Sequence, residues 1–503
     1  MMATTFPYRH APLEPRSVPR TALLQEVEAR LAAGDRLAMI CCCDDGGQFR
    51  VVYTFTGAGP HRVSELVVHV PGDDPWIPSL AAVSYPAGNF EREIRDLYGL
   101  RPLDHPQPYR LVRHGHWPRG WYPMRHDASP TPTFEPDTES FPFLEVEGPG
   151  VYEIAVGPIH AGIIDPGHFR FSVVGETIIR MEARLWYMHR GVEKIFEGRT
   201  PDDGIELAEA IAGDTAVGHC LAYVMAVEDA LQLEVPESHR MRRALLLELE
   251  RLYNHVTDLG ALANDAGFGI ANSHAGRVRE TLLRINKDVT GHRLLRGAIS
   301  IGGAALRALP DPAVLQDIAA DVAEIVTITL DHSIVRDRLT GTASLPATQA
   351  ESLGTVGYVA RASGINSDAR GEHPFTDLGG AFHIVTETGG DVLARYLVRA
   401  REFAVSTAVA VDLIERLSSQ DDIPAATSGP TATTAGLGIV EGWRGTLCHR
   451  VELDQEGRLA RVKIVDPSFF NWSALPVALS DTIVPDFPLT NKSFNLSYPG
   501  NDL

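Results

Sequence analysis

Residues 241–260 read MRRALLLELERLYNHVTDLG, and their periodicity sets the architecture of the larger part of the chain. Met241, Leu245, Leu249, Leu252, Val256 and Leu259 recur at spacings of three and four, which puts them on one stripe of an α-helix. Arg242, Arg243, Glu248, Glu250 and Arg251 fall on or beside the opposite face. The segment therefore reads as a core helix of a bundle, with the run from Glu250 to His255 as a solvated edge. Further helices are expected at 275–297, 311–335 and 390–418, and residues 444–464 read as two strands joined by a turn at 454–457.

Upstream the pattern changes. Residues 22–33 read as a short amphipathic helix, followed by three β-rich runs at 37–43, 49–55 and 65–70 that are separated by glycine-containing turns. Cys41, Cys42 and Cys43 sit in the first run, where alternate residues face opposite ways and small cysteines pack as hydrophobes. Residues 126–150, HDASPTPTFEPDTESFPFLEVEGPG, are rich in Pro, Thr and acids without periodicity, as a linker would be. The fold class is α+β: a flexible N-terminus at 1–20, a small α+β domain at 21–125, a linker at 126–150 and a large mainly α-helical domain at 151–503.

At 503 residues the chain has room for two or three domains. Its formal charge of −20 opposes a phosphate-binding face, so nucleic acid is not an expected partner. No stretch reaches the roughly 18 apolar residues of a membrane-spanning helix, and the start lacks the apolar core of a secretory signal. A cytoplasmic location is expected. The five cysteines, at 41, 42, 43, 220 and 448, form neither a disulfide framework nor paired Cys-x-x-Cys hooks. No zinc or iron-sulfur cluster of the chain's own is expected, and no Gly-x-Gly-x-x-Gly marks a nicotinamide site.

Several short motifs occur in a fixed order. FEREIRDLYGL at 90–100 is followed by Asp104, His105, Pro106 and Arg110; physically it is a charged amphipathic helix stopped by Gly99, and it reads as an interaction surface. Then come GPIH at 157–160, DPGHFR at 165–170, YMHRGVEK at 187–194, EGRT at 197–200 and AYVMAVE at 222–228. RASG at 361–364, with Asp368, Arg370, His373 and Pro374, precedes VEGWRG at 440–445. Together these motifs resemble the large subunit of membrane-bound energy-converting nickel-iron hydrogenases of the formate hydrogenlyase type, equivalent to the fused C and D subunits of complex I. The resemblance covers nearly the whole chain.

That family holds nickel and iron through four thiolates, because soft sulfur suits those metals. Alignment on the surrounding motifs puts the four positions on Ala212, Thr215, Ser497 and Gly500, none of which is cysteine. A nickel-iron centre is therefore not expected. Asp165, His168, Asp214 and His219 offer either a harder oxygen and nitrogen site or a set of polar groups hydrogen-bonded to one another. Complex I relatives, which also lost the nickel ligands, bind a quinone headgroup in the cleft. The resemblance thus implies His160, Asp165, His168 and Arg361 as cleft residues, and Tyr223, Asp368, Arg370 and His373 as quinone-contacting or wall residues, with Tyr187 a second tyrosine. It further implies an iron-sulfur partner subunit, attached membrane subunits, a peripheral position on the cytoplasmic face and a link to NADH only through another subunit. Two readings stay open: electron transfer to a quinone or another small ligand, and a non-catalytic coupling subunit. His189-Arg190 and Glu193-Lys194, at helical spacing, read as paired surface charges.

Overall fold

The computed structural model describes residues 10, 13–57, 59–136, 140–162, 164–419, 424–426 and 435–503. In the small domain, strands Arg36–Asp44, Gln48–Thr56 and Val63–Pro71 form an antiparallel meander, and Arg16–Ser17 joins its outer edge in parallel. The expected helix is Leu23–Ala32. Most of the N-terminus expected to be flexible lies outside the described residues, and Arg16–Ser17 is already paired in the sheet. Alternation holds at the cysteines: Cys42 joins the main core of the domain, whereas Cys41 and Cys43 pack with Val52 and Val67 on the other face.

Helix Tyr85–Tyr98 ends where expected. Gly99 has φ +81°, and a β-carbon there would meet the Tyr122 ring at 2.7 Å. Its acidic side is not the interaction surface read from the sequence. Glu91 receives Leu80 N–H, Asp96 receives the N–H groups of Leu111, Val112 and Arg113, and Glu93 pairs with Lys463 of the large domain at 2.8 Å. All three acids are buried, because the helix docks onto the same chain. Between Leu103 and Val151 the described residues contain no helix or strand, which includes the stretch read as a linker.

The large domain opens with an antiparallel sheet, Val151–Val156, His168–Val174 and Thr177–Arg184. Helices Ala216–Ala230, Glu237–Asp265, Gly269–Thr290, Pro312–Asp331 and Val392–Ser418 form the bundle, and a meander of Ala435–Glu441, Thr446–Leu453 and Leu459–Val465 closes it. This meander lies directly on helix Ala216–Ala230: a β-carbon at Gly438 would stand 1.9 Å from the Ala222 carbonyl oxygen. Among the described residues no helix is long and apolar enough to cross a membrane.

Helix Glu237–Asp265 is enclosed rather than solvated along one side. Arg243, Glu248, Glu250, Arg251 and His255 are all buried, which corrects the reading of 250–255 as a surface edge. Each charge found a partner that the periodicity could not show: Arg243 grips Glu228, Arg251 holds Glu248 at 3.1 Å, and His255 bonds Glu402 at 2.8 Å. The pairs read as surface charges at 189–194 are likewise turned inward in part. Glu193 is buried against Arg461 and Lys463, and the His189 ring bonds the Asp502 carbonyl.

Candidate functional site

The loop from Gly157 to Gly167 joins the first two strands of the large domain. Its two histidines pin it shut: His160 Nε2 lies 2.8 Å from the Gly167 carbonyl oxygen, and His168 Nδ1 lies 3.1 Å from that of Gly157. Gly157 makes the closure feasible, since a β-carbon there would come within 2.1 Å of the Gly167 oxygen. Asp165 sits half-buried on this loop. Burial and the nearby Asp214 carboxylate raise its pKa above the ordinary carboxylate value, against the attraction of Arg190 and Arg444. The Tyr498 ring packs under the same loop, where a side chain on Gly167 would touch it at 2.7 Å.

The four aligned ligand positions are buried beneath this loop. Ala212 presents only a methyl group. The Thr215 hydroxyl donates to Asp214 at 3.0 Å and accepts from Trp443 Nε1 and Arg444 Nη1, each at 3.1 Å. Asp214 takes a bidentate grip from Arg444, both contacts at 2.7 Å. Burial raises the Asp214 pKa, and the Arg444 guanidinium more than reverses that, holding it below the usual range. On the opposite side, the Ser497 hydroxyl caps the last helical turn by accepting from Gly500 N–H at 3.0 Å. A β-carbon at Gly500 would stand 2.5 Å from the Asp466 carboxylate.

Asp466 itself accepts from Ser468 N–H at 2.7 Å and contacts His219 Nε2 at 3.1 Å, and His219 Nδ1 reaches His449 Nε2 at 3.1 Å. Burial and the neighbouring His219 keep the His449 pKa well below the ordinary imidazole value. The donors at the four positions are thus a methyl group, two engaged hydroxyls and a glycine wedged against a carboxylate. They do not fit nickel or low-spin iron, which need thiolates. Among the described residues no three His, Cys, Asp or Glu side chains are grouped to hold a metal ion. Of the polar groups read as an alternative metal set, His219 turns to Asp466 and His449, while Asp214 turns to Arg444.

The other expected site residues lie elsewhere. Arg361 is fully buried, donating to Glu402 at 2.8 Å and to Glu441 at 2.7 Å, with Asp368 at 3.4 Å. Arg370 bonds Asp368 at 2.7 Å and Glu248 at 3.3 Å. These groups form one ion network, and among the described residues His160, Asp165 and His168 are not among its partners. Tyr223 is a core residue whose hydroxyl donates to the Pro201 carbonyl at 2.7 Å and whose ring packs on Phe196. His373 faces His61 of the small domain, ring centroids 6.2 Å apart, on the wall of a separate cavity of about 710 Å³. Tyr187 packs on His114, ring centroids 4.6 Å apart, and lines another cleft together with His168. Sequence reasoning missed the residues that fill the junction, Arg444, Asp466, His449 and Tyr498. Arg444 stands inside VEGWRG, Tyr498 lies between two of the aligned ligand positions, and Asp466 carries a helix-start signal in the run Asp-Pro-Ser.

Three family models match: the respiratory-chain NADH dehydrogenase 30 Kd subunit over residues 17–134, nickel-dependent hydrogenase over 190–263, and the respiratory-chain NADH dehydrogenase 49 Kd subunit over 265–435. Formate hydrogenlyase subunit 5 of Escherichia coli is 33% identical, covering 86% of this chain and 78% of the relative. Hydrogenase-4 component G of the same organism is also 33% identical, covering 91% and 81%. The C/D subunit of NADH-quinone oxidoreductase from Phocaeicola vulgatus is 31% identical, covering 70% and 71%. Among solved structures, a chain of a membrane-bound sulfane sulfur reductase, an archaeal respiratory membrane complex, superposes with a TM-score of 0.64 at 23% identity, over 70% of this chain and 99% of that one, a likeness of fold.

Proposed function

Because the chain belongs to the family of hydrogenase large subunits and fused NADH-quinone oxidoreductase C/D subunits, we propose that it serves a complex I-like oxidoreductase without a nickel-iron centre. It is a peripheral subunit of a membrane-associated complex, as its relatives and the lack of a spanning helix among the described residues indicate. In this reading it lies on the cytoplasmic face. An iron-sulfur partner subunit brings electrons to the cleft under the Gly157–Gly167 loop, where a quinone or another small redox ligand accepts them. The chain itself supplies position and protons.

The observation that carries this reading is the contrast between two layers. The four ligand positions are closed by a satisfied network of Arg444, Asp214, Thr215 and Asp466, while the loop above them keeps His160 and Asp165 half-exposed. In this reading Asp165, half-exposed on that loop, is the carboxyl that exchanges protons with the ligand, and burial and the Asp214 carboxylate raise its pKa above the ordinary carboxylate value.

The coupling-subunit reading has one observation in its favour. Arg361 and Tyr223, two residues expected to meet a ligand, are buried and engaged by the protein itself, Arg361 by Glu402 and Glu441 and Tyr223 by the Pro201 carbonyl. Separate His160→Gln and Asp165→Asn substitutions in the native complex distinguish the two. Redox function in the cleft requires that the complex still assembles, with its iron-sulfur content intact and nickel absent, while quinone-dependent turnover falls at least about tenfold. Unchanged turnover in both variants would establish a coupling role instead, and stoichiometric nickel would overturn both readings.

A further inference from the structure

A second cleft, of about 650 Å³, opens between the Ser140–Glu145 segment and the first sheet of the large domain. Among the described residues its walls carry Arg110, Arg170, Arg184, His114 and His168, and one carboxylate, Glu145. This is an anomaly in a chain whose net charge is −20. Arg184 is only 3% exposed, and its guanidinium donates to the main-chain carbonyls of Leu111 and Arg113, with the Phe141 ring 4.8 Å away. Among the described residues no carboxylate pairs with it. Burial pulls its pKa down to about 10, as expected of a positive charge that neutral acceptors compensate only in part.

Two further nitrogens in this cleft are buried with no hydrogen-bond partner among the described residues: Nε2 of His168 and Nε of Arg170. The Arg170 guanidinium lies 4.3 Å over the Phe143 ring, and its nearest carboxylate, Glu153, stands at 3.6 Å. A buried guanidinium satisfied only by carbonyls, beside unpartnered nitrogens, is the environment that an anion relieves. We propose that this cleft binds a small oxyanion, a carboxylate or a phosphate group, between Arg184, Arg170 and His168.

The hydrogen bonding of His168 adds a signature. Its Nδ1 faces the Gly157 carbonyl and so carries the hydrogen, which leaves Nε2 bare in the neutral ring. Donation from Nε2 to an anion requires a second proton on the ring, so binding takes up a proton and tightens as pH falls. The groups facing His168 across the cleft are Arg110, Arg170, Arg184, His114 and Tyr187, with Glu145 as the competing carboxylate. This site goes beyond the redox reading and does not rest on it: binding is measured on the isolated full chain, whether or not the assembled complex turns over.

Titration calorimetry with sulfate, which keeps its charge between about pH 6 and pH 8, tests the site and its pH dependence. Inorganic phosphate and succinate, run separately, distinguish a phosphate from a carboxylate ligand. One saturable site per chain is expected, tighter at the lower pH. Arg170→Gln should weaken it at least about tenfold, as loss of a charge-assisted contact does, and His168→Gln should remove the pH dependence. Arg170 and His168 are both half-buried, so these variants carry the test even if Arg184→Gln fails to fold. Absence of saturable binding by all three probes, affinity unchanged in Arg170→Gln, or a pH dependence that survives His168→Gln would overturn the proposal.

Discussion

His373 shows what a single buried side chain contributes when its neighbours are cations or neutral groups. Both ring nitrogens are buried with no hydrogen-bond partner among the described residues, and burial together with nearby His61 pulls its pKa down to about 3. In the unfolded chain the same imidazole titrates near 6.5. The folded state therefore excludes a proton that the unfolded state takes up below about pH 6.5. Its stabilising contribution is complete above that value and is lost progressively as pH falls toward 3. His373→Phe, which keeps a ring but cannot take a proton, should gain about 2 kcal/mol over the parent at about pH 5 relative to its difference at about pH 8. Thermal melts at the two pH values check this; an equal shift at both would show that His373 is not what titrates. The sequence grouped His373 with Asp368 and Arg370 because they are close in the chain. The short helix Ala369–Glu372 separates His373 from the other two, leaving Arg370 on Asp368 and Glu248 and sending His373 toward His61 of the other domain.

Helix Tyr85–Tyr98 and helix Glu237–Asp265 were legible as elements, since apolar spacing and the Gly99 stop are local signals. What covers their charged faces was not legible, because each partner comes from a distant part of the chain. Lys463 is the clearest case: it is buried between Glu93 of the small-domain helix, at 2.8 and 2.9 Å, and Glu193 of the large domain, at 3.0 Å. Burial raises the Glu93 pKa and Lys463 opposes that, so removal of the ammonium leaves a buried carboxylate without its cation. Lys463→Met should cost about 3–5 kcal/mol, and adding Glu93→Leu should recover most of it, because a pair replaced by apolar groups is close to neutral. Thermal unfolding of the two single variants and the double variant measures the coupling. Strictly additive losses would mean that the two groups do not depend on each other. The junction behaved in the same way. Four lost thiolates could be located from motifs, but the Asp466 carboxylate standing where a side chain at Gly500 would go is a contact between distant segments, and no local pattern encodes it.

Across the whole molecule, the two domains read as separate units share one core. The apolar cluster built on Met39, Phe49, Phe90 and Leu97 of the small domain continues into Val356, Leu437, Ile439, Phe469 and Phe470 of the large one. Phe90 and Phe469 stack with centroids 4.5 Å apart. Buried charges cross the same boundary: Arg450 bonds Glu65, Arg50 grips Glu452, and Arg461 donates to the Cys42 carbonyl. Separating the domains would expose this apolar surface and take from Glu65 and Glu93 the cations that pair with them, a cost that grows with every pair broken. The connection between them contributes far less, since the described residues from Leu103 to Val151 form no helix or strand and loop closure depends only weakly on length. A chain cut between Glu145 and Gly148, both exposed, should therefore yield two pieces that co-purify when co-expressed and melt in one transition, a few degrees below the intact protein. Pull-down through a tag on either piece reads this out. Recovery of the small-domain piece alone, folded and soluble, would mean that the shared core is an incidental contact and that the fusion, rather than the interface, holds the domains together.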